Sequence, residues 1–307
     1  MKVLVCDKTE KECIEQMRAA GVTVDTNFEI TPDALMTVLP AYDAVVVRSR
    51  TKVRQPLIDA CPNLKLIVRG GVGLDTIDVD YARNKGITVK NTPLASSASV
   101  AELAIGYLFM LARSLYKATA SMKATKWDKK AFEGDEIAGK TLGIIGLGNI
   151  GSETAKRAQL LGMNVIAYDP SAKLLFGVRL VSLEELLKAS DYISLHLPKT
   201  KESANMIGAE QFAMMKPGVR IINCARGGII NEDALYDALV SGKVAGAALD
   251  VFAEEPPTDW KLLTLENVIG SPHIGAATKE AQNRVGAEVA QIVIEFAKSF
   301  APVPEVV

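Results

Sequence analysis

Short, unbroken runs of apolar and β-branched residues recur along the chain, each followed by a stretch with helical spacing. The first are Lys2-Val3-Leu4-Val5-Cys6-Asp7, Val22-Thr23-Val24, Ala44-Val45-Val46-Val47, Leu64-Lys65-Leu66-Ile67-Val68 and Ile87-Thr88-Val89. After Gly139 the rhythm restarts, with strands expected at 141–145, 164–168, 192–195, 220–223, 246–249 and 268–270. A strand with one wet face alternates polar and apolar residues. These runs do not alternate, so both faces must be covered. A parallel sheet with helices on both sides does this, and the pattern predicts an α/β chain with two doubly wound parallel sheets. The chain has 307 residues, beyond the size at which one core stops growing, so two domains are expected.

Composition narrows the function classes. Hydrophobic residues make up 49% and charged residues 23%, which excludes a disordered or fibrous chain. Lys and Arg number 35 against 36 Asp and Glu, so charge gives no reason to expect a nucleic-acid or membrane-surface partner. Cys6, Cys13, Cys61 and Cys224 form no CxxC pair, and no basic–apolar–small segment opens the chain. Reduced thiols and a cytoplasmic location are the expectation. No uncharged apolar run reaches about 18 residues, so no membrane span is expected. With only His196 and His273 and scattered cysteines, no metal site is expected either.

Two segments read as long helices. Leu103, Ile105, Leu108, Leu111 and Leu115 carry helical spacing through 99–123, and Ser99 three residues before Glu102 fits a capping box. The amphipathic stretch 278–298 is expected to be a helix that returns to the first domain.

The strand at 141–145 runs into Gly146-Leu147-Gly148-Asn149-Ile150-Gly151. Here Gly146 permits the tight turn, Gly148 lets backbone approach a pyrophosphate, and Gly151 lets helix and strand pack closely. The helix N-terminus beyond offers N–H groups and partial positive charge to phosphates. The next strand ends in Tyr168-Asp169-Pro170, where an acid accepts hydrogen bonds from ribose hydroxyls and repels a 2′-phosphate. No arginine follows Asp169 directly and Lys173 is the nearest base, so NAD is expected over NADP.

Three later strand ends carry chemistry. Asn223-Cys224-Ala225-Arg226-Gly227-Gly228 presents an arginine whose planar fork suits a carboxylate. Leu249-Asp250-Val251-Phe252-Ala253-Glu254-Glu255-Pro256 presents acids, and Ser271-Pro272-His273-Ile274-Gly275-Ala276 a histidine among small residues. A glutamate beside a histidine stabilises the imidazolium, and the pair can move a hydroxyl proton while a nicotinamide moves a hydride. Arg226, Glu255 and His273 therefore suggest alcohol-to-ketone chemistry on an acid. His196 reads as pocket structure.

These stretches, with Val46-Val47-Arg48-Ser49, Arg69-Gly70-Gly71-Val72-Gly73-Leu74-Asp75 and Asn91-Thr92-Pro93, resemble the D-isomer-specific 2-hydroxyacid dehydrogenases, most of all the phosphoglycerate dehydrogenases among them. The resemblance covers nearly the whole length. It implies a flavodoxin-like substrate domain (1–94 and 281–307) with a Rossmann NAD-binding domain (95–280) inserted into it. It also implies a homodimer, with the helix after Ser99 and the segment near Trp127 in the interface. On the matching positions it implies Arg226, Glu255 and His273 as catalytic residues. For the cofactor it implies Gly146, Gly148, Asn149, Ile150, Gly151, Asp169, Cys224, Ala225, Arg226, Asp250, His273, Gly275 and Ala276, with Asp250 positioning the nicotinamide amide. For substrate it implies Arg48, Arg69, Gly71, Arg226 and His273, with Lys129 and Lys130 as further charge from a partner subunit. Val72 and Leu197 replace a threonine common in relatives, and Ser96 a longer amide. The expected reaction is oxidation of D-3-phosphoglycerate, with closure over the substrate and no carrier for regulation by serine after Val307. Glyoxylate, hydroxypyruvate and D-lactate are the alternative substrates. A dinucleotide-sensing corepressor is the alternative from another class, against which the balanced charge speaks.

Overall fold

The computed structural model describes residues 1–171, 175 and 177–300. The chain divides into two compact units, Met1–Ser96 together with the segment that begins at Ala277, and Ser97–Ala276.

The first unit begins with β1 (Lys2–Val5), α1 (Lys11–Ala19), β2 (Thr23–Thr26), α2 (Pro32–Val38), β3 (Ala44–Val47), α3 (Gln55–Asp59), β4 (Leu66–Arg69), α4 (Val79–Asn84) and β5 (Thr88–Asn91). The strands form one parallel sheet in the order β2-β1-β3-β4-β5, the flavodoxin-like order. Every residue of β3 is buried. Val45 and Val47 enter the core on one face while Ala44 and Val46 enter the core on the other. That two-sided burial is why the run carries no polar residue.

The second unit begins with α5 (Ser97–Arg113) and α6 (Leu115–Lys123). It continues through β6 (Thr141–Ile145), α7 (Asn149–Leu160), β7 (Asn164–Tyr168), β8 (Arg179–Leu180), α8 (Leu183–Ala189) and β9 (Tyr192–Leu195). Then follow α9 (Ala209–Met214), β10 (Val219–Asn223), α10 (Glu232–Val240), β11 (Val244–Leu249) and β12 (Val268–Gly270). Its seven-stranded sheet runs β12-β11-β10-β9-β6-β7-β8. The strand order reverses between β6 and β9, and at such a switch point the loops leave a crevice at the carboxyl ends. The chain then returns to the first unit through α11 (Lys279–Phe300), which lays Val285, Val289 and Val293 onto the core beneath α1.

Two helix expectations need correction. The stretch 99–123 is not one helix: Ser114 adopts φ 47°, and α5 and α6 meet at a 67° bend. A residue in the left-handed region ends the regular hydrogen-bond ladder. The capping box also fails. The helix already begins at Ser97, which puts Ser99 inside it, and the Glu102 carboxylate lies 3.5 Å from the Arg157 guanidinium. The short edge strand β8 has no counterpart in the sequence reading.

A Cβ on Gly151 would lie 2.0 Å from the Gly146 carbonyl oxygen, whereas nothing stands within 4 Å of one on Gly148. Gly151→Ala is therefore expected to destabilise the fold by about 1–3 kcal/mol, and Gly148→Ala by less than about 1 kcal/mol. Urea denaturation of the two variants checks this, and equal losses would refute the packing account.

Candidate active site

The glycine loop follows β6. Gly146 has φ +93°, and a Cβ there would sit 2.5 Å from the His196 carbonyl oxygen. Glycine is thus required twice, by backbone angle and by close approach. Gly148 caps α7, whose first internal bond runs from the Ser152 N–H to the Gly148 carbonyl at 2.9 Å. The amides of Asn149, Ile150 and Gly151 precede that bond and lie outside the helix's own ladder. Asp169, just beyond β7, accepts the Leu147 N–H at 2.7 Å and the Ser171 N–H at 2.8 Å. One donor on each oxygen fixes the carboxylate beside the loop and leaves an acceptor position on each. Open space over Gly148, a helix end and an anchored acid together fit a dinucleotide. Lys173 lies outside the described residues.

At the end of β10 the buried Asn223 side chain spans the next turn. Its Oδ1 accepts the Ala225 N–H at 3.0 Å and its Nδ2 donates to the Arg226 carbonyl at 3.0 Å. Burial and the nearby Asp250 push the Cys224 thiol well up, so it stays protonated. A Cβ on Gly227 would lie 1.7 Å from the Phe252 carbonyl oxygen. Only glycine allows the loop after β10 to meet the loop after β11 so closely. The Arg226 guanidinium donates to the Ala225 carbonyl at 2.7 Å.

The loop after β11 carries Glu255. Its Oε1 accepts the Phe252 N–H at 3.2 Å, and Glu232 on α10 holds the Ala253 N–H at 2.6 Å. Glu255 Oε2 meets His273 Nδ1 at 2.7 Å. Partial burial pushes the Glu255 carboxyl up, but the His273 imidazole, the Phe252 N–H and the Arg226 charge outweigh it and hold it below its ordinary 4.5. A carboxylate only accepts, so the proton sits on Nδ1, and Nε2 is left to accept one.

The loop after β12 carries His273, a non-glycine residue at φ 52°. Asp250, almost wholly buried, accepts the Ile274 N–H at 2.8 Å and the Gly275 N–H at 2.8 Å. Its contacts in this structure are thus with the loop itself. Space there is tight, since a Cβ on Gly275 would come to 3.0 Å from Asp250 Oδ2. His196 is different. Its Nε2 meets the Ser194 hydroxyl at 2.8 Å, and burial drives its pKa down to about 4. It is a neutral wall behind the glycine loop.

In the first unit Asp7 is buried at the end of β1. It accepts the Arg48 N–H at 2.5 Å, the Thr51 N–H at 3.2 Å and the Thr51 hydroxyl at 2.8 Å, and pairs with Arg50 at 3.0 Å. Partial burial lowers Arg48 from its ordinary value. Gly71 has φ +142°, and a Cβ there would overlap an Arg69 guanidinium nitrogen at 1.7 Å, so the arginine lies across the glycine. Lys129 and Lys130 are exposed.

The structure thus places Arg226, Glu255 and His273 on the loops after three neighbouring strands and joins the last two directly. Sequence reasoning named no role for Asn223 or Asp7, and for Gly227 only that it flanks Arg226. An asparagine two residues before a buried N–H is an Asx-turn signal and could have been found. The partner of Gly227 could not.

Since the folded-state pKa of Glu255 is depressed, its stabilising effect is present above its unfolded value and is lost as pH falls through the folded one. Glu255→Gln is therefore expected to show a shallower fall in melting temperature between about pH 5 and 3 than the parent. Parallel slopes by calorimetry would refute an ionised pair.

Residues 105–275 match the model of the D-isomer specific 2-hydroxyacid dehydrogenase NAD binding domain. Hydroxypyruvate reductase of Thermotoga maritima is 50% identical over 298 residues, covering 96% of this chain and 97% of that protein. D-3-phosphoglycerate dehydrogenase of Archaeoglobus fulgidus is 47% identical over 303 residues, covering 97% of this chain but 58% of that protein. Among solved structures, D-lactate dehydrogenase from Aquifex aeolicus, complexed with NAD and lactic acid, superposes with a TM-score of 0.87 at 33% identity, covering 97% of this chain and 96% of that one. The chain belongs to the D-isomer specific 2-hydroxyacid dehydrogenases and carries their NAD-binding domain.

Proposed function

We propose that the protein oxidises D-3-phosphoglycerate at its C2 hydroxyl, with NAD as the acceptor. The observation that carries the chemistry is the Glu255–His273 pair at 2.7 Å, with Nε2 left free of it. His273 Nε2 takes the hydroxyl proton as C2 becomes a carbonyl carbon. Glu255 stabilises the imidazolium so formed and fixes the ring. Arg226 grips the substrate carboxylate and orients C2. NAD, when bound, accepts the hydride. The amides of Asn149 and Ile150 would hold its pyrophosphate and Asp169 its ribose, with Cys224, Ala225, Gly275 and Ala276 as further contacts. An acceptor position remains on the Asp250 carboxylate, which supports a contact with the nicotinamide amide.

The phosphate assignment rests on Arg48 and Arg69, each at a strand end of the first unit. Phosphate needs such cations and a plain hydroxy acid does not. A second reading, reduction of hydroxypyruvate, is favoured by the similarity to the Thermotoga maritima reductase, whose length this chain matches. A homodimer is also part of the proposal, supported by exposed Leu115, Met122 and Trp127 along α6 and beyond. Sedimentation at low concentration tests it.

His273→Ala is expected to lower turnover at least about 100-fold; near-parental turnover would overturn the assignment. A panel of phosphorylated and unphosphorylated 2-hydroxy acids, each with NAD and NADP, tests the substrate and cofactor. Arg48→Ala and Arg69→Ala are expected to raise KM for D-3-phosphoglycerate much more than for D-glycerate. Equal effects would remove the phosphate site and leave the hydroxypyruvate reading. Gly148→Ala is expected to weaken NADH binding while the fold persists.

A further inference from the structure

The loop that carries His273 is pinned at nearly every backbone donor. The Ser271 N–H bonds the Leu249 carbonyl at 3.0 Å and the His273 N–H bonds the Ser271 carbonyl at 3.0 Å. Pro272 has no N–H. The Ile274 and Gly275 N–H groups both end on Asp250, at 2.8 Å each. The orientation of one buried carboxylate therefore decides where the loop lies. That matters because His273 sits at φ 52°, a region side chains seldom occupy unless their surroundings impose it.

Asp250 does not stand alone beneath the loop. Ser271 Oγ bonds Asp250 Oδ1, and the Tyr107 hydroxyl bonds Ser271 Oγ. The direction follows from counting protons. The carboxylate only accepts, so the single Ser271 hydroxyl proton goes to Asp250. Tyr107 must then donate to Ser271. Tyr107 projects from α5, is buried, and packs in the core with Leu108, Leu111 and Ile144. Burial pushes its phenol up to about 12, so it remains a donor at any working pH. The chain thus runs from a helix fixed in the core, through a serine of the loop after β12, to the carboxylate that holds the histidine.

We propose that Tyr107 and Ser271 are positioning residues for proton transfer, acting through Asp250 to hold His273 against Glu255. Neither residue touches the proton that moves. The inference rests on the reading of His273 as the acid–base group. It adds that the geometry of this group is set by a helix residue far away in sequence.

The test uses the full chain, with whichever it turns over faster, D-3-phosphoglycerate with NAD or hydroxypyruvate with NADH. Tyr107→Phe removes one oxygen and keeps the ring. It is expected to lower kcat about 10-fold, since small misplacements of a reacting group are costly. KM is expected to stay within about 2-fold, because neither the tyrosine nor the serine grips the substrate carboxylate. Ser271→Ala is expected to lower kcat at least as much. Tyr107→Phe added to Ser271→Ala is expected to cost nothing more, because the tyrosine acts only through the serine. The chain has only two histidines, so their ring signals in a ¹H–¹⁵N spectrum are separable. The His273 Nδ1–H signal is expected to broaden or vanish in Tyr107→Phe while that of His196 persists. Full kcat in Tyr107→Phe, multiplicative losses in the double variant, or an unchanged His273 signal would each overturn the proposal. His273→Asn is run alongside. If it retains turnover the acid–base reading itself fails; if it is inactive while Tyr107→Phe is unimpaired, only the positioning proposal fails.

Discussion

A buried carboxylate must find donors, and Asp250 finds them in the loop of the neighbouring strand. Its own N–H goes the other way, to the Asn223 carbonyl at 2.9 Å. One residue therefore ties the ends of β10, β11 and β12 into a single hydrogen-bonded unit. Glu255 and His273 close that unit from outside with a second bond. Arg226 enters it through the Asn223 amide, which holds its backbone carbonyl. The three candidate side chains come from loops, and the loop that carries His273 is held at most of its backbone donors.

The sheet explains why these loops meet. Parallel strands all end at the same edge, so β10, β11 and β12, paired as neighbours, deliver their loops side by side. The glycines then set the spacing. Gly227 lets two loop backbones approach, and Gly146 and Gly151 let β6 and α7 pack tightly around the turn. Among the glycines of that motif Gly148 differs, with open space beside it. The motif thus contains two residues required by the protein's own packing and one that the packing does not require.

Much of this was legible in the residues. The unbroken run Ala44-Val45-Val46-Val47 is a strand because alternate side chains enter separate cores, and period-two burial on two faces leaves no place for polar residues. The strands at β6, β7, β9 and β12 have the bounds that their apolar runs suggest. The reading of 99–123 as one helix failed for a physical reason. Ser114 breaks no propensity rule, and the apolar spacing continues through Leu115. The α5 half packs against α7 whereas α6 buries no residue, and helical periodicity holds no information about where that packing ends. Ser99 looked like a cap because a serine and a glutamate had the right interval. Glu102 instead faces Arg157 of α7, a partner remote in sequence.

By itself the sequence determined the parallel α/β architecture, the place of the glycine loop, and the three strand ends that carry Arg226, Glu255 and His273. These are local facts, since strand runs, turns and reactive residue types are written in consecutive positions. The tertiary structure alone decided that Glu255 meets His273 Nδ1, that Gly227 lies against Phe252, and that Tyr107 reaches Ser271 and Asp250. Each of these joins residues on different elements, and their geometry depends on how strands pair and helices pack. Hydrogen bonds are decided at the scale of tenths of an ångström, which a pattern of residue types does not encode.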